Sequence, residues 1–186
     1  AGMSYPTEPR RLAAWLALPG NRCIALGDDD YPPLLARIGN PPPRLYPGGV
    51  PAGLWGAQVA VVGSRRASPG GLATTREFCL ALAGAGLAIT SGLARGIDGA
   101  AHAAALEAAT PTIAVCATGL DEVYPPRHRA LATLLGRNVQ LHALGHAQVL
   151  RQYVRQRGAR HFALVDDTPL PIFFHRDQDV SGIGGT

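Results

Sequence analysis

Three glycine-centred clusters, Gly63-Ser64-Arg65, Ser91-Gly92-Leu93-Ala94-Arg95-Gly96 and Thr118-Gly119-Leu120-Asp121, each follow a short apolar run. Glycine lets backbone N–H groups approach a ligand closely, and the start of a following helix carries partial positive charge, so the combination suits a phosphate. A single such glycine says little, because a strand-to-helix turn needs one for geometry alone. Three in succession, two of them with arginine, point to a phosphate-bearing ligand. The stretch Gly96-Ile97-Asp98-Gly99-Ala100-Ala101-His102 then sets Asp98 and His102 one helical turn apart. Two readings are open. One is an acid–base pair beside the ligand; the other, preferred here, has Asp98 favouring the helix start and His102 bracing the loop through a hydrogen bond. A hydrolytic triad of Ser64, His102 and Asp98 lacks the strained Gly-x-Ser-x-Gly elbow that such chemistry uses.

Other chemistries lack their patterns. No Gly-x-Gly-x-x-Gly lies between Gly63 and Gly71 and no Gly-x-x-x-x-Gly-Lys-Ser/Thr loop occurs anywhere, so no nucleotide cofactor is expected. His142 and His146 have helical spacing but no accompanying glutamate or third ligand, so no metal is expected. The acidic triplet Asp28-Asp29-Asp30 reads as the cap of a short helix rather than a metal site. Cys23, Cys79 and Cys116 are odd in number, far apart and in apolar surroundings, which reads as reduced core thiols.

The elements that would position these residues change style along the chain. Residues 1–56 read as a small N-terminal lobe: a helix from Arg10 to Leu18, a strand at Cys23–Leu26, a short helix Leu34–Ile38, and a proline-rich connector at Pro41–Pro43 and Pro47–Gly49. From about residue 57 strands and helices alternate. Strands are predicted at Gln58–Val62, Leu87–Thr90 and Thr112–Ala117, with helices at Gly71–Ala83, Ile97–Ala108 and Arg127–Leu135. Such alternation gives an α/β fold, a Rossmann-like parallel sheet with helices on both faces, whose ligands lie beyond the carboxyl ends of the strands. Residues 136–186 are atypical, with a basic helix candidate at Ala147–Arg157, a strand at His161–Val165 and a glycine-rich end.

At 186 residues and 47% apolar composition the chain can build a sizeable core. No apolar run approaches the roughly 18 residues of a membrane span and no signal-peptide pattern opens the chain, so a cytoplasmic protein without membrane contact is expected. The formal charge of +4 comes from arginine, which binds phosphate in a planar fork, and so favours a polyanion as partner. Arginine enrichment also follows from GC-rich coding, which leaves a compositional origin equally open.

In order and spacing, Val61-Val62-Gly63-Ser64-Arg65, Ser91 to Asp98 with His102, and Gly119-Leu120-Asp121 with Tyr124-Pro125 resemble the DNA processing protein A family, DprA, also called Smf. Asp30-Tyr31-Pro32-Pro33-Leu34-Leu35 and Pro42-Pro43-Arg44-Leu45-Tyr46 are similar to that family's lead-in, and the resemblance runs from about Leu26 to Leu135. It implies a non-enzymatic homodimer that binds single-stranded DNA in natural transformation, shields it and helps load the RecA recombinase. Arg65 is carried over as a phosphate-gripping residue, with Gly63, Ser64, Gly92, Gly96 and Gly119 shaping the pocket. Arg95 and Arg127 are added from position and charge. Beyond Leu135 the family's Ser-Glu strand end and Phe-Pro-x-Arg-Asn-Arg helix are not recognisable; Arg151, Arg155, Arg157 and Arg160 stand there, as a solvated face or as replacement contacts.

Two rivals use a similar fold. Pro69-Gly70-Gly71-Leu72-Ala73-Thr74-Thr75-Arg76-Glu77 partly matches the Pro-Gly-Gly-x-Gly-Thr-x-x-Glu signature of lysine-decarboxylase-like (cytokinin-activating) phosphoribohydrolases. Here it follows the first strand rather than a late one, and Ser68-Pro69-Gly70 reads more simply as a helix start. A non-catalytic nucleotide-binding module is the other. Only 6% of the chain is aromatic, whereas single-strand binders usually add stacking platforms; Tyr124 is the one aromatic beside a predicted strand end.

Overall fold

The computed structural model describes residues 9–49, 56–116, 118, 122–135, 139–142 and 162–165. In chain order the elements are α1 (Pro9–Leu16), β1 (Ile24–Ala25), α2 (Pro33–Ala36), β2 (Arg44–Gly49), β3 (Gln58–Gly63), α3 (Pro69–Gly84), β4 (Ala88–Ser91), α4 (Ile97–Glu107) and β5 (Thr112–Cys116). A 3-10 turn (Pro126–His128), α5 (Arg129–Leu135), β6 (Val139–His142) and β7 (Phe162–Val165) follow. The strands form one sheet ordered β1-β2-β6-β5-β4-β3-β7, with β6 through β7 mutually parallel and β2 antiparallel to both β1 and β6. Chain order runs outward from β3 in one direction, while β7 adds on its other side. The crevice past the end of β3 is therefore the switch point where an α/β sheet takes ligands, and Gly63-Ser64-Arg65 sits there.

The parallel core follows from its residues. Val59, Ala60 and Val61 are all buried, as a strand covered on both faces requires. Val59, Val61 and Ile89 face α3 and α4, packing with Cys79, Ile97, Ala101, Ala104 and Ala105; the small alanines let α4 lie close to the sheet. Leu93, Ala114 and Cys116 pack beneath α5 with Ala132 and Leu135. The opposite face is covered by the N-terminal segment, whose Ile24, Tyr31, Leu35, Ile38 and Leu45 share a cluster with Ala88 and Ile113. Tyr31 donates its hydroxyl to the Pro42 carbonyl at 2.8 Å, and burial pushes its pKa up to about 12. Among the described residues no helix is long and apolar enough to cross a membrane.

Several expectations are met closely. Ser68 caps α3 by accepting from the Gly71 N–H at 3.0 Å, with Pro69 in the first turn. Others are corrected. Residues 44–49, expected as connector, are a strand, because the Tyr46-to-Gly49 backbone pairs with β6. The acidic triplet does not cap α2, whose cap is Pro32. Instead Asp28 accepts from the Ala25 N–H at 2.7 Å and Asp30 pairs with Arg22 at 3.0 Å, tying the turn before the helix. Cys23 is exposed, whereas Cys79 and Cys116 are buried with pKa values pushed up to about 12, and so behave as inert core thiols. Residues 117, 119–121, 136–138 and 143–161 lie outside the described residues, which leaves there Gly119 and the basic helix candidate Ala147–Arg157.

Candidate nucleic-acid interface

The two described glycine turns meet. Gly96 stands at φ +77° and ψ −127°, and a Cβ there would lie 2.1 Å from the Ser64 carbonyl oxygen and 3.0 Å from the Arg65 carbonyl carbon. Only glycine lets the α4 start approach the β3 end this closely, and the Ile97 N–H seals the contact by donating to the Ser64 carbonyl at 3.2 Å. The Ser64 hydroxyl accepts from the Arg66 N–H at 3.0 Å, turning the chain so that Arg65 and Arg66 emerge side by side, both exposed. In the second turn Leu93 holds the left-handed backbone at φ 60°, anchored by its buried side chain.

Asp98 braces this assembly from beneath. One of its carboxylate oxygens accepts from the N–H groups of Gly92 at 3.2 Å and Ala94 at 3.3 Å. Burial raises its pKa, opposed by these bonds, by the charge of Arg65 and by the Gly63 N–H. The turn therefore directs its N–H groups onto the protein's own carboxylate, and Gly92 does not present the N–H expected for a phosphate. The hydrogen bonds that brace the turn thus come from Asp98, whereas the sequence reading set Asp98 at the helix start and gave the bracing bond to His102.

His102 is placed differently. Its ring is completely buried, with Nδ1 2.8 Å from the Thr112 hydroxyl, which itself donates to the Ile89 carbonyl at 2.8 Å. That hydroxyl has one proton to give, so Nδ1–H is the donor to Thr112. His102 therefore pins α4 to β5 and does not brace the loop, and being sealed it forms no acid–base pair with Asp98 and no triad with Ser64. Burial, then the charge of His128, hold its pKa down to about 3. Because an unfolded histidine titrates near 6.5, the unfolded state binds the extra proton between those values, so stability falls as pH drops below about 6.5. Asp98, with its raised pKa, contributes in the opposite sense. We expect the urea midpoint to decline from pH 6.5 towards 5, with a slope of at most about 1.4 kcal/mol per pH unit, and His102→Asn to flatten it. A flat wild-type profile would show the ring protonating inside the fold.

Beside the meeting turns a cavity of about 680 Å³ runs between α3 and α4. Arg65, Arg66, Arg76 and Arg127 line it together with Glu107 and His128, so four guanidiniums face a single carboxylate. Its floor is a stripe of small residues, Gly96 just before α4 and Gly99, Ala100, Ala103 and Ala104 along it. His128 Nδ1 donates to the Leu93 carbonyl at 3.0 Å, and its ring lies over Gly99, where a Cβ would meet it at 2.8 Å.

Of the residues singled out from sequence, Arg65, Gly96 and Arg127 come together on this cavity. Gly63, Ser64 and Gly92 shape the turns behind it, and the exposed Arg95 is not on its lining. Sequence reasoning missed Arg66, Arg76, Glu107 and His128 as lining residues. A signal existed in the helical i, i+3, i+4, i+7 spacing of the small residues from Gly96, which marks one continuous face ending at Glu107. Glu77, the residue on which the phosphoribohydrolase signature turns, is exposed and lies off the cavity lining. Among the described residues no three histidines, cysteines or carboxylates converge as a metal site.

The profile of the DNA recombination-mediator protein A family matches residues 22–151, extending past Leu135, where the recognisable motifs end. Protein Smf of Escherichia coli K12 is 45% identical over 134 residues, covering 72% of this chain and 36% of that protein. DNA processing protein DprA of Streptococcus pneumoniae R6 is 43% identical over 109 residues, 59% of this chain and 38% of that protein. The chain thus spans little more than a third of these relatives. The X-ray structure of DprA from Streptococcus pneumoniae superposes with a TM-score of 0.66 at 36% identity, covering 74% of this chain and 48% of the other. DNA processing protein A from Helicobacter pylori, whose structure is described for its single-stranded DNA binding mode, shares the fold at a TM-score of 0.62 and 23% identity, over 77% of this chain and 68% of the other. On the profile match and these identities, the chain belongs to the DNA recombination-mediator protein A family, the DprA and Smf proteins.

Proposed function

We propose that this chain binds single-stranded DNA through its backbone, in the cytoplasm and without catalysing a reaction, as the DprA-type partner of DNA entering in natural transformation. The observation that carries this reading is the convergence of Arg65, Arg66 and Arg127 on one cavity beside the glycine-formed junction of β3 and α4. Guanidinium forks match phosphate geometry and stay charged at every working pH. With backbone N–H groups turned inward onto Asp98 and Ser64, the arginines supply the phosphate contacts, and Gly63, Ser64 and Gly96 serve by placing Arg65. Phosphate contacts carry no base information, so binding is sequence-tolerant and salt-sensitive, with a log–log salt slope of about −0.7 per phosphate engaged. Homodimerisation and help in loading RecA belong to the same reading and rest on family membership.

The test is fluorescence anisotropy of a labelled oligothymidylate at two salt concentrations. Arg65→Ala should weaken binding about ten- to a hundredfold at low salt, the loss of a charge-assisted contact worth ~1.5–3 kcal/mol. No binding by the wild type at low salt, or binding indifferent to Arg65, overturns the reading. Release of base from nucleoside monophosphates, abolished by Glu77→Ala, would establish the hydrolase instead.

A further inference from the structure

The far end of the cavity is already occupied by a carboxylate in the geometry a phosphate would take. Arg76 on α3 donates through Nε to one Glu107 oxygen at 2.9 Å and through a terminal nitrogen to the other, a two-point fork across to the end of α4. Glu107 is the one acid on a lining that also holds Arg65, Arg66 and Arg127. The side chains are 54% and 49% exposed, which makes the pair an exchangeable surface contact rather than a fixed strut.

Resting on the single-stranded DNA reading, we propose that the strand runs along the α3–α4 groove and that Glu107 is a built-in competitor for its last phosphate, holding Arg76 out of the DNA contact. Charge complementarity commits the groove to a polyanion, and Gly99, Ala100, Ala103 and Ala104 put no long side chain into its α4 side. While Glu107 keeps the Arg76 fork, a phosphate there meets a like charge and an engaged donor. Neutralising Glu107 removes the repulsion and frees the fork together. Glu107 thus sets how far along the groove the strand is held, and so the affinity.

The experiment is the oligothymidylate titration of full-chain wild type, Glu107→Gln, Arg76→Ala and the double variant across a salt series. Glu107→Gln should tighten binding about three- to tenfold at low salt, with the log–log salt slope steeper by about 0.7, one phosphate gained. Arg76→Ala alone should change affinity less than twofold, and adding it to Glu107→Gln should return both affinity and slope towards wild type. Tightening that survives in the double variant would mean a general loss of negative charge and overturns the proposal, as does an unchanged Glu107→Gln. Wild type that binds DNA while Glu107→Gln gains nothing refutes only this inference; wild type that fails to bind refutes the function reading as well.

Discussion

Gly96→Ala should unfold or severely destabilise the protein, by about 3 kcal/mol or more, and should abolish whatever DNA binding survives. Two costs add at one atom. The backbone at φ +77°, ψ −127° is one that L side chains rarely adopt. The new methyl would also stand 2.1 Å from the Ser64 carbonyl oxygen, a backbone atom that cannot swing aside as a side chain can. Relief requires the β3 end and the α4 start to separate, which breaks the Ile97 N–H bond to Ser64 and moves Arg65 off the groove. Thermal melting should show a drop of roughly 6 °C or more, at about 2–4 °C per kcal/mol for a chain of this size. Gly84→Ala is the control, since a Cβ there meets nothing and the position is helical. It should melt no lower than wild type. A Gly96→Ala protein with wild-type melting would mean the two turns can part freely, and the junction would lose its role in placing Arg65.

That junction also marks what the sequence did and did not disclose. The β-branched run at Gln58–Gly63, the cap at Ser68-Pro69 and the apolar run at Thr112–Cys116 are local signals, written in propensity and pattern, and they survive folding nearly unaltered. The strand at Arg44–Gly49 was hidden because Tyr46-Pro47-Gly48-Gly49 has turn composition; pairing of those four residues with β6, about ninety residues on, and of Arg44 and Leu45 with β1 makes it a strand. At the site, residue types pointed to phosphate chemistry and to Arg65. What they could not reveal was the direction of the N–H groups. In sequence a glycine turn looks alike whether its donors face outward to a ligand or inward to the protein, and at Gly92–Ala94 that difference depends on Asp98 reaching back under its own loop. His102 had the same ambiguity, settled by Thr112 on a strand ten residues away in sequence. Of the α3–α4 groove only the small-residue face of α4 was legible, because Arg76 and Glu107, 31 positions apart, become neighbours only when the two helices pack.

The inward turn of those donors yields a sharp contrast between two replacements at one position. Asp98→Ala strips the acceptor from the Gly92 and Ala94 N–H groups, and each part-buried donor left unpaired costs about 1–3 kcal/mol, so a loss of ~2–6 kcal/mol in urea denaturation is expected. Asp98→Asn should lose far less. Its carbonyl oxygen can accept from both N–H groups, and it removes the charge whose desolvation raises the Asp98 pKa. Equal, large losses in both variants would assign the stabilisation to the charge itself, in concert with Arg65. No loss in the alanine variant would mean that the Gly92 and Ala94 N–H groups find other partners, and a phosphate would then be the natural candidate. Measuring the alanine variant with and without oligothymidylate separates these cases. If the turn is braced by Asp98 and the strand binds as proposed, DNA stabilises the alanine variant no more than it stabilises wild type, because its phosphates would then sit on the arginines of the neighbouring groove and not in the cradle beneath Gly92.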